Sequence, residues 1–155
     1  MVEGKKVIGI IGYGVVGKAA EATLIKKYEV IKYDKYQTYD SFESLINSDF
    51  ILLSVPTPFD YKNKELDDSA IIESLEKLKH MKFDKIVIIK STLAPGFCEK
   101  YEKLFNLKIV YNPEFLRESK TPFEDFENQD TIVIGTNIND QSSFNEVRKM
   151  YEKVC

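Results

Sequence analysis

Three glycines near the start of the chain have the spacing to hold a phosphate. Gly12-x-Gly14-x-x-Gly17 follows directly on an apolar run, Val7 to Ile11, and opens into a helical pattern with Val16, Ala19, Ala20, Thr23 and Leu24 on one face. In that setting the first glycine permits a tight turn and the second lets a pyrophosphate approach the backbone. The third lets the helix pack closely on the strand. The helix start adds free N–H groups and the positive end of a dipole. An ordinary strand-to-helix turn would account for the glycines alone. Yet a second apolar run, Tyr28 to Tyr33, ends at Asp34, about twenty residues on, where a dinucleotide site places its ribose-binding carboxylate. The expectation is a dinucleotide cradle formed by Gly12, Tyr13, Gly14, Val15, Val16 and Gly17, with Asp34 on the ribose. A carboxylate there accepts hydrogen bonds from ribose hydroxyls and repels a 2′-phosphate, which favours NAD over NADP.

Further unusual stretches each follow an apolar run. Pro56-Thr57-Pro58 is a stiff turn that exposes one hydroxyl, and it stops a strand because proline cannot continue a central ladder. Thr92, in Lys90-Ser91-Thr92, offers a hydroxyl to a nicotinamide ribose or a water; its plain role is to cap the helix that starts near Pro95. Asn112 to Glu118 crowds Glu114, Arg117 and Glu118 with Phe115 and Leu116. A solvated charge run is the ordinary reading of such a loop, but this one carries apolar residues immediately past a buried strand.

The elements that must position these residues alternate strictly. Strands are expected at Val7–Ile11, Val30–Tyr33, Phe50–Val55, Ile86–Ile89, Lys108–Tyr111 and Thr131–Ile134. Between them come a short helix capped by Asp40 or Ser41 with Phe42, Leu45 and Ile46 inward, and a polar loop from Phe59 to Leu66. A helix from Asp67 or Asp68 follows, then one with Phe97, Tyr101, Leu104 and Phe105 on its face. The last helix, capped by Asn139 or Asp140, carries Phe144, Val147, Tyr151 and Val154. Continuous apolar strands imply a parallel sheet covered on both faces. The expected fold is α/β: a Rossmann-type doubly wound parallel sheet of six strands in a single domain, in the order 3-2-1-4-5-6. Every unusual stretch then falls on the carboxyl edge of that sheet, where such folds bind ligands.

Composition narrows the field. The chain has 155 residues, 43% hydrophobic, with a net charge of −3. That is enough for one domain with a real core, and nothing in it points to nucleic acid or an anionic membrane. No apolar run is long enough to span a bilayer, and the start of the chain has no signal-peptide pattern. Cys98 and Cys155 form no CxxC pair, and His80 is the single histidine. No metal site is therefore expected, and a reducing cytoplasm is the expected location. Cys98 lies near a helix start, which can lower a thiol pKa, but packing is the plainer role.

The stretches GYGVVG, VPTP, STLAPGF and NPEFLRES occur in an order and spacing that resemble the UDP-glucose/GDP-mannose 6-dehydrogenase family, from about Val7 to Gly135. The resemblance implies the NAD-binding domain of an enzyme that oxidises the C6 alcohol of a sugar nucleotide to a carboxylate. It implies NAD contacts at Gly12 to Gly17, Asp34, Lys35, Pro56, Thr57, Thr92 and Glu118. It implies an acid/base role for Glu114, with Thr92 helping to place a water, and a substrate-covering loop of Glu114, Phe115, Leu116 and Arg117. The family's nucleophilic cysteine sits in a later sugar-nucleotide domain, reached through a long central helix. The expectation is that residues 1–155 are the NAD-binding domain alone and lack both of those parts. The stretch from Asp34 to Phe50 is shorter than the family's, and Ser119 stands where glycine is common. Two readings of another class stay open: a non-catalytic NAD or nucleotide-sugar binding module, and one chain of a split enzyme. A homo-oligomer or a complementing chain is the expected partner besides NAD and a nucleotide sugar.

Overall fold

The computed structural model describes residues 4–116 and 120–155. Its centre is a five-stranded parallel sheet of β1 (Val7–Ile11), β2 (Glu29–Tyr33), β3 (Phe50–Leu53), β6 (Ile86–Ile89) and β7 (Lys108–Tyr111), in the order β2-β1-β3-β6-β7. Alternation along each strand sends neighbouring residues to opposite faces. Phe50, Leu52, Ile86 and Ile88 join Ile8 and Ile10 in one core. That core is covered by α1 (Val15–Leu24), α4 (Pro122–Glu127) and α5 (Gln141–Glu152). Ile51, Leu53, Val87 and Ile89 face the other core, beneath α2 (Ser69–His80), α3 (Phe97–Phe105) and a 3₁₀ turn at Glu43–Asn47. The doubly wound architecture is therefore as expected, with helices on both faces.

Strand number and order are not. All four residues of β3 are buried, whereas β2 is only half-buried. A strand apolar on both faces belongs inside a sheet, so β3 lies against β1 on the side away from β2, and β2 takes the edge. The connection 34–49 holds only the 3₁₀ turn and an Asp34–Gln37 bridge, with no strand beyond β2. The expected sixth strand, Thr131–Ile134, is not one. Ile132 and Ile134 pack against the core, but the backbone meets the sheet only through a Tyr111–Gly135 bridge. That bridge is antiparallel, with N–H···O distances of 2.8 and 2.7 Å. The intervening α4 packs on α1 rather than along β7, so the chain does not return in the parallel sense.

Smaller differences have local causes. The loop expected at 59–66 contains a hairpin, β4 (Phe59–Asp60) with β5 (Glu65–Leu66). Asp60 closes its turn by accepting from the Lys62 and Asn63 amides at 2.9 and 3.2 Å. Of the three residues expected inward, Phe42 and Leu45 are buried, but Ile46 is 44% exposed, because the short segment winds as a 3₁₀ turn. Leu104 is 55% exposed, since Phe97, Tyr101 and Phe105 at four-residue spacing already fill the α3 face. That helix starts at Phe97 after an N-cap at Gly96, which lies in the left-handed region at φ 81° and leaves Pro95 outside the helix. The last helix has the expected cap: the Asp140 carboxylate accepts from Ser143 N at 3.1 Å.

Candidate functional site

A cavity of about 680 Å³ opens at the carboxyl ends of β1, β2 and β3. Of the residues expected from sequence, Gly12, Gly14, Val15, Val16, Asp34, Lys35 and Pro56 line it. Gly12 has φ 89°, and a Cβ there would stand 2.6 Å from the Ser54 carbonyl. Only glycine fits that turn. Ser54 pins it by donating its hydroxyl to Gly12 O at 2.8 Å. Gly14 is the opposite case: nothing lies within 4 Å of where its Cβ would be. It is also the N-cap of α1 and brings no side chain to the helix's free N–H groups. Those donors therefore face open space beside the cavity, as a phosphate site requires.

Asp34 is fixed by two backbone donors, Tyr13 N on Oδ2 at 2.8 Å and Tyr36 N on Oδ1 at 2.9 Å. Each carboxylate oxygen keeps acceptor capacity for a further hydroxyl. Tyr13 reaches the site only through that amide. Its ring turns away, edge-on to Tyr39 at 4.8 Å and under the Lys32 ammonium at 4.8 Å. Its hydroxyl meets Glu21, which Lys32 also contacts at 2.9 Å. Burial and the Glu21 contact raise the phenol above its ordinary value. Gly17 lies behind the cavity, where a Cβ would meet Gly12 O at 2.4 Å. Thr57 is half-buried and Thr92 exposed, and neither lines this cavity. Sequence reasoning missed the far wall, formed by Phe42 and by Glu73, Ser74 and Lys77 of α2.

A second concavity of about 820 Å³ is lined by Glu114, Phe115 and Leu116 together with Glu124, Asp125, Asn128 and Thr131. Arg117 and Glu118 lie outside the described residues. Phe115 is 65% exposed. Glu114 is held tightly: Phe115 N donates to Oε1 at 3.1 Å, and Lys90 Nζ sits 2.9 Å from Oε2, as an ion pair rather than an aligned hydrogen bond. The Lys90 and Glu114 side chains are 2% and 8% exposed. Lys90 also donates to Asn112 Oδ1 at 2.8 Å and to the Tyr151 hydroxyl at 3.3 Å. Tyr151 in turn donates to Asn112, whose amide reaches Val133 O at 2.8 Å. Burial pulls the ammonium down, but Tyr151 and Glu114 outweigh it and hold Lys90 above the ordinary lysine value. This network was not foreseen. Its one sequence signal is a lysine ending an otherwise apolar strand.

Neither cysteine resembles an activated nucleophile. Burial, then Glu102 and Glu99, push the Cys98 thiol up to about 11. Burial also raises Cys155, although that residue is exposed overall. Among the described residues no cluster of His, Cys, Asp and Glu could hold a metal, and no helix is long and apolar enough to cross a membrane.

A glycine turn opening onto a bare helix start, a carboxylate fixed at the end of the next strand and a doubly wound parallel sheet define a dinucleotide-binding α/β domain. The sequence model of the UDP-glucose/GDP-mannose dehydrogenase family, NAD binding domain, matches residues 18–155. The UDP-glucose 6-dehydrogenase of Rickettsia bellii is 36% identical over 137 residues, which is 77% of this chain and 31% of that protein. The Campylobacter jejuni enzyme of the same name is 33% identical over 103 residues, or 65% and 26% of the two chains. The chain thus spans about a third or less of these relatives. Among solved structures, a UDP-glucose dehydrogenase from Pyrobaculum islandicum superposes with a TM-score of 0.84 at 20% identity, covering 100% of this chain and 46% of that one. A GDP-mannose dehydrogenase from Pseudomonas aeruginosa gives 0.77 at 22%, covering 95% and 44%. At those identities the structures show a shared fold. The chain belongs to the UDP-glucose/GDP-mannose dehydrogenase family and carries its NAD binding domain.

Proposed function

We propose that the chain is the cofactor domain of a nucleotide-sugar 6-dehydrogenase, binding NAD in the 680 Å³ cavity and offering Glu114 to a sugar nucleotide in the 820 Å³ concavity. One observation carries the reading: the open face of Gly14 on the bare start of α1, beside a carboxylate that two amides already aim. The residues present fit the cofactor. The α1 amides would hold its pyrophosphate and Asp34 its ribose, with Lys35 and Pro56 along the walls. Bound there, NAD supplies a hydride acceptor.

The remaining roles follow from the family pattern and the fold. Thr57, Thr92 and Glu118 would complete the cofactor contacts, and Thr92 with Glu114 would place a water. Support for Glu114 comes from its grip between Lys90 and the Phe115 amide, which fixes its carboxylate at the edge of a roomy concavity. Phe115, Leu116 and Arg117 would cover the sugar nucleotide, consistent with the exposure of the Phe115 ring. Oxidation to the acid requires a thiolate and a substrate-binding surface supplied by further chain, either covalently attached or as a complementing subunit. A second copy of the chain is another partner of the assembly. Two free cysteines accord with a reducing, cytoplasmic setting.

Calorimetric titration with NAD tests the reading, with Gly14→Val as the comparison. The parent chain binds NAD. The valine side chain would fill the space above the α1 amides, so the variant loses at least about 100-fold in affinity, near 2.7 kcal/mol, while its circular dichroism is unchanged. A folded variant with the parent's affinity would move the cofactor out of this cavity.

A further inference from the structure

The α2 wall of the cavity holds a charge arrangement that NAD binding does not require. Glu73 stands between two lysines, with Lys35 Nζ 2.9 Å from Oε2 and Lys77 Nζ 3.1 Å from Oε1. Each carboxylate oxygen is thus taken by a different ammonium. Lys35 directly follows Asp34, and Lys77 lies one helical turn beyond Glu73. All four residues line the same cavity. Lys77 also lies over the ring of Phe42, another wall residue, at 5.3 Å from its centroid. The coupling shows in the charges themselves: the Lys35 and Lys77 contacts hold the Glu73 carboxyl below its ordinary value, and Glu73 raises Lys35.

Fold stability does not explain the arrangement. The three side chains are between 39% and 55% exposed, and ion pairs so exposed add little to stability. Their position suggests another use. Two lysines beside a ribose-facing carboxylate are the charges that a 2′-phosphate would seek. Asp34 repels such a phosphate but leaves both lysines standing. With Glu73 present, the formal charges of the four side chains cancel; without it they leave one positive charge at the ribose end.

We infer that Glu73 is a specificity-determining residue: by occupying Lys35 and Lys77 it denies the cavity to a 2′-phosphorylated dinucleotide, a task it shares with Asp34. The inference rests on the cofactor reading of the same cavity.

The test is calorimetric titration of the full chain and its variants with NAD and with NADP, reading the ratio of the two affinities. In Glu73→Gln the ratio shifts toward NADP by at least about fivefold, near 1 kcal/mol. Glu73→Ala gives the same shift, so the outcome does not hang on one variant's folding. The shift shrinks in high salt, because it is carried by exposed charges. Adding Lys35→Ala and Lys77→Ala to Glu73→Gln removes it. The control Glu76→Gln changes the same net charge at an exposed α2 position outside the cavity, and leaves the ratio where it was. A parent chain that binds NAD with an unchanged ratio in both Glu73 variants overturns this inference alone. So does an equal shift in the Glu76 control. A parent chain that binds neither dinucleotide overturns the cofactor reading with it.

Discussion

On the proposed reading, Asp34 is the side chain that selects the cofactor at its ribose. Its oxygens accept from Tyr13 N and Tyr36 N at 2.8 and 2.9 Å, so its orientation is set before a ligand arrives. Asp34→Asn keeps the shape and removes the charge. A hydrogen bond to a charged group contributes about 1.5–3 kcal/mol, so calorimetry should show NAD binding about tenfold weaker and NADP binding strengthened relative to it. A variant that still binds NAD as the parent does would place the ribose elsewhere. The carboxylate and the glycines were legible in the sequence because each answers a local demand: a φ only glycine tolerates, an open approach, a strand end. Lys35 and Pro56 came from the family resemblance, and both line the cavity. The Tyr13 ring turns away from the cavity, a direction the sequence does not reveal because it depends on partners such as Glu21 and Tyr39 that lie elsewhere in the chain. Glu73 and Lys77 were invisible for the same reason. Nothing in an amphipathic helix tells which polar residues face a cavity.

Strands and helices were readable where burial alone decides them. The limits of β1, β6 and β7 match the apolar runs, and Asp140 caps α5 as its residue type suggests. The order of the strands was not readable. It depends on which strand is buried on both faces in the assembled sheet, and the short crossover 34–49 leaves β2 at the edge. The Lys90 network is another product of assembly, joining β6, the loop after β7, and α5 through Glu114, Asn112 and Tyr151. Breaking a buried pair leaves an uncompensated charge and costs about 3–5 kcal/mol, a large part of the roughly 5–15 kcal/mol that holds a domain together. Urea unfolding should therefore show Lys90→Met strongly destabilised. The double variant Lys90→Met/Glu114→Gln should recover most of the loss, because no lone charge remains. Equal losses in both would mean that the pair is held by packing alone. The pH dependence has a definite sign. A lysine raised above its ordinary value contributes fully below the unfolded value of about 10.4, and loses that contribution only as pH rises through the folded value. Lys90 titration should leave stability flat near neutrality and lower it in strong alkali.

At the scale of the whole molecule, the decisive fact is that the chain aligns with 31% of the Rickettsia bellii enzyme's length. A cofactor domain can bind NAD without the rest, but forming a sugar acid asks for more. Oxidising an alcohol to a carboxylate takes two hydride transfers, and covalent capture of the intermediate aldehyde by a thiolate splits the hard second oxidation into easier steps. The 155-residue chain offers two thiols. Cys98 is pushed up to about 11 by burial and two glutamates, so at neutral pH only about one molecule in ten thousand carries the thiolate. It lies on α3, beside Pro95 and Gly96 rather than beside Glu114. Cys155 is raised as well, and its concavity is formed by Ile132, Ile134, Phe144 and Tyr151 rather than by the Glu114 loop. Neither is poised to capture an aldehyde held at Glu114. In the roles proposed for them Glu114 and Thr92 would orient a water, but a carboxylate and a hydroxyl cannot form a thioester. The expected outcome is that the purified chain binds NAD yet does not convert UDP-glucose or GDP-mannose to the acid. Absorbance at the NADH band and chromatography of the products check this over hours of incubation. Two NADH per sugar acid, sustained over many turnovers, would overturn it. Abolition of that activity by Cys98→Ser or Cys155→Ser would then name the thiol that acts as nucleophile.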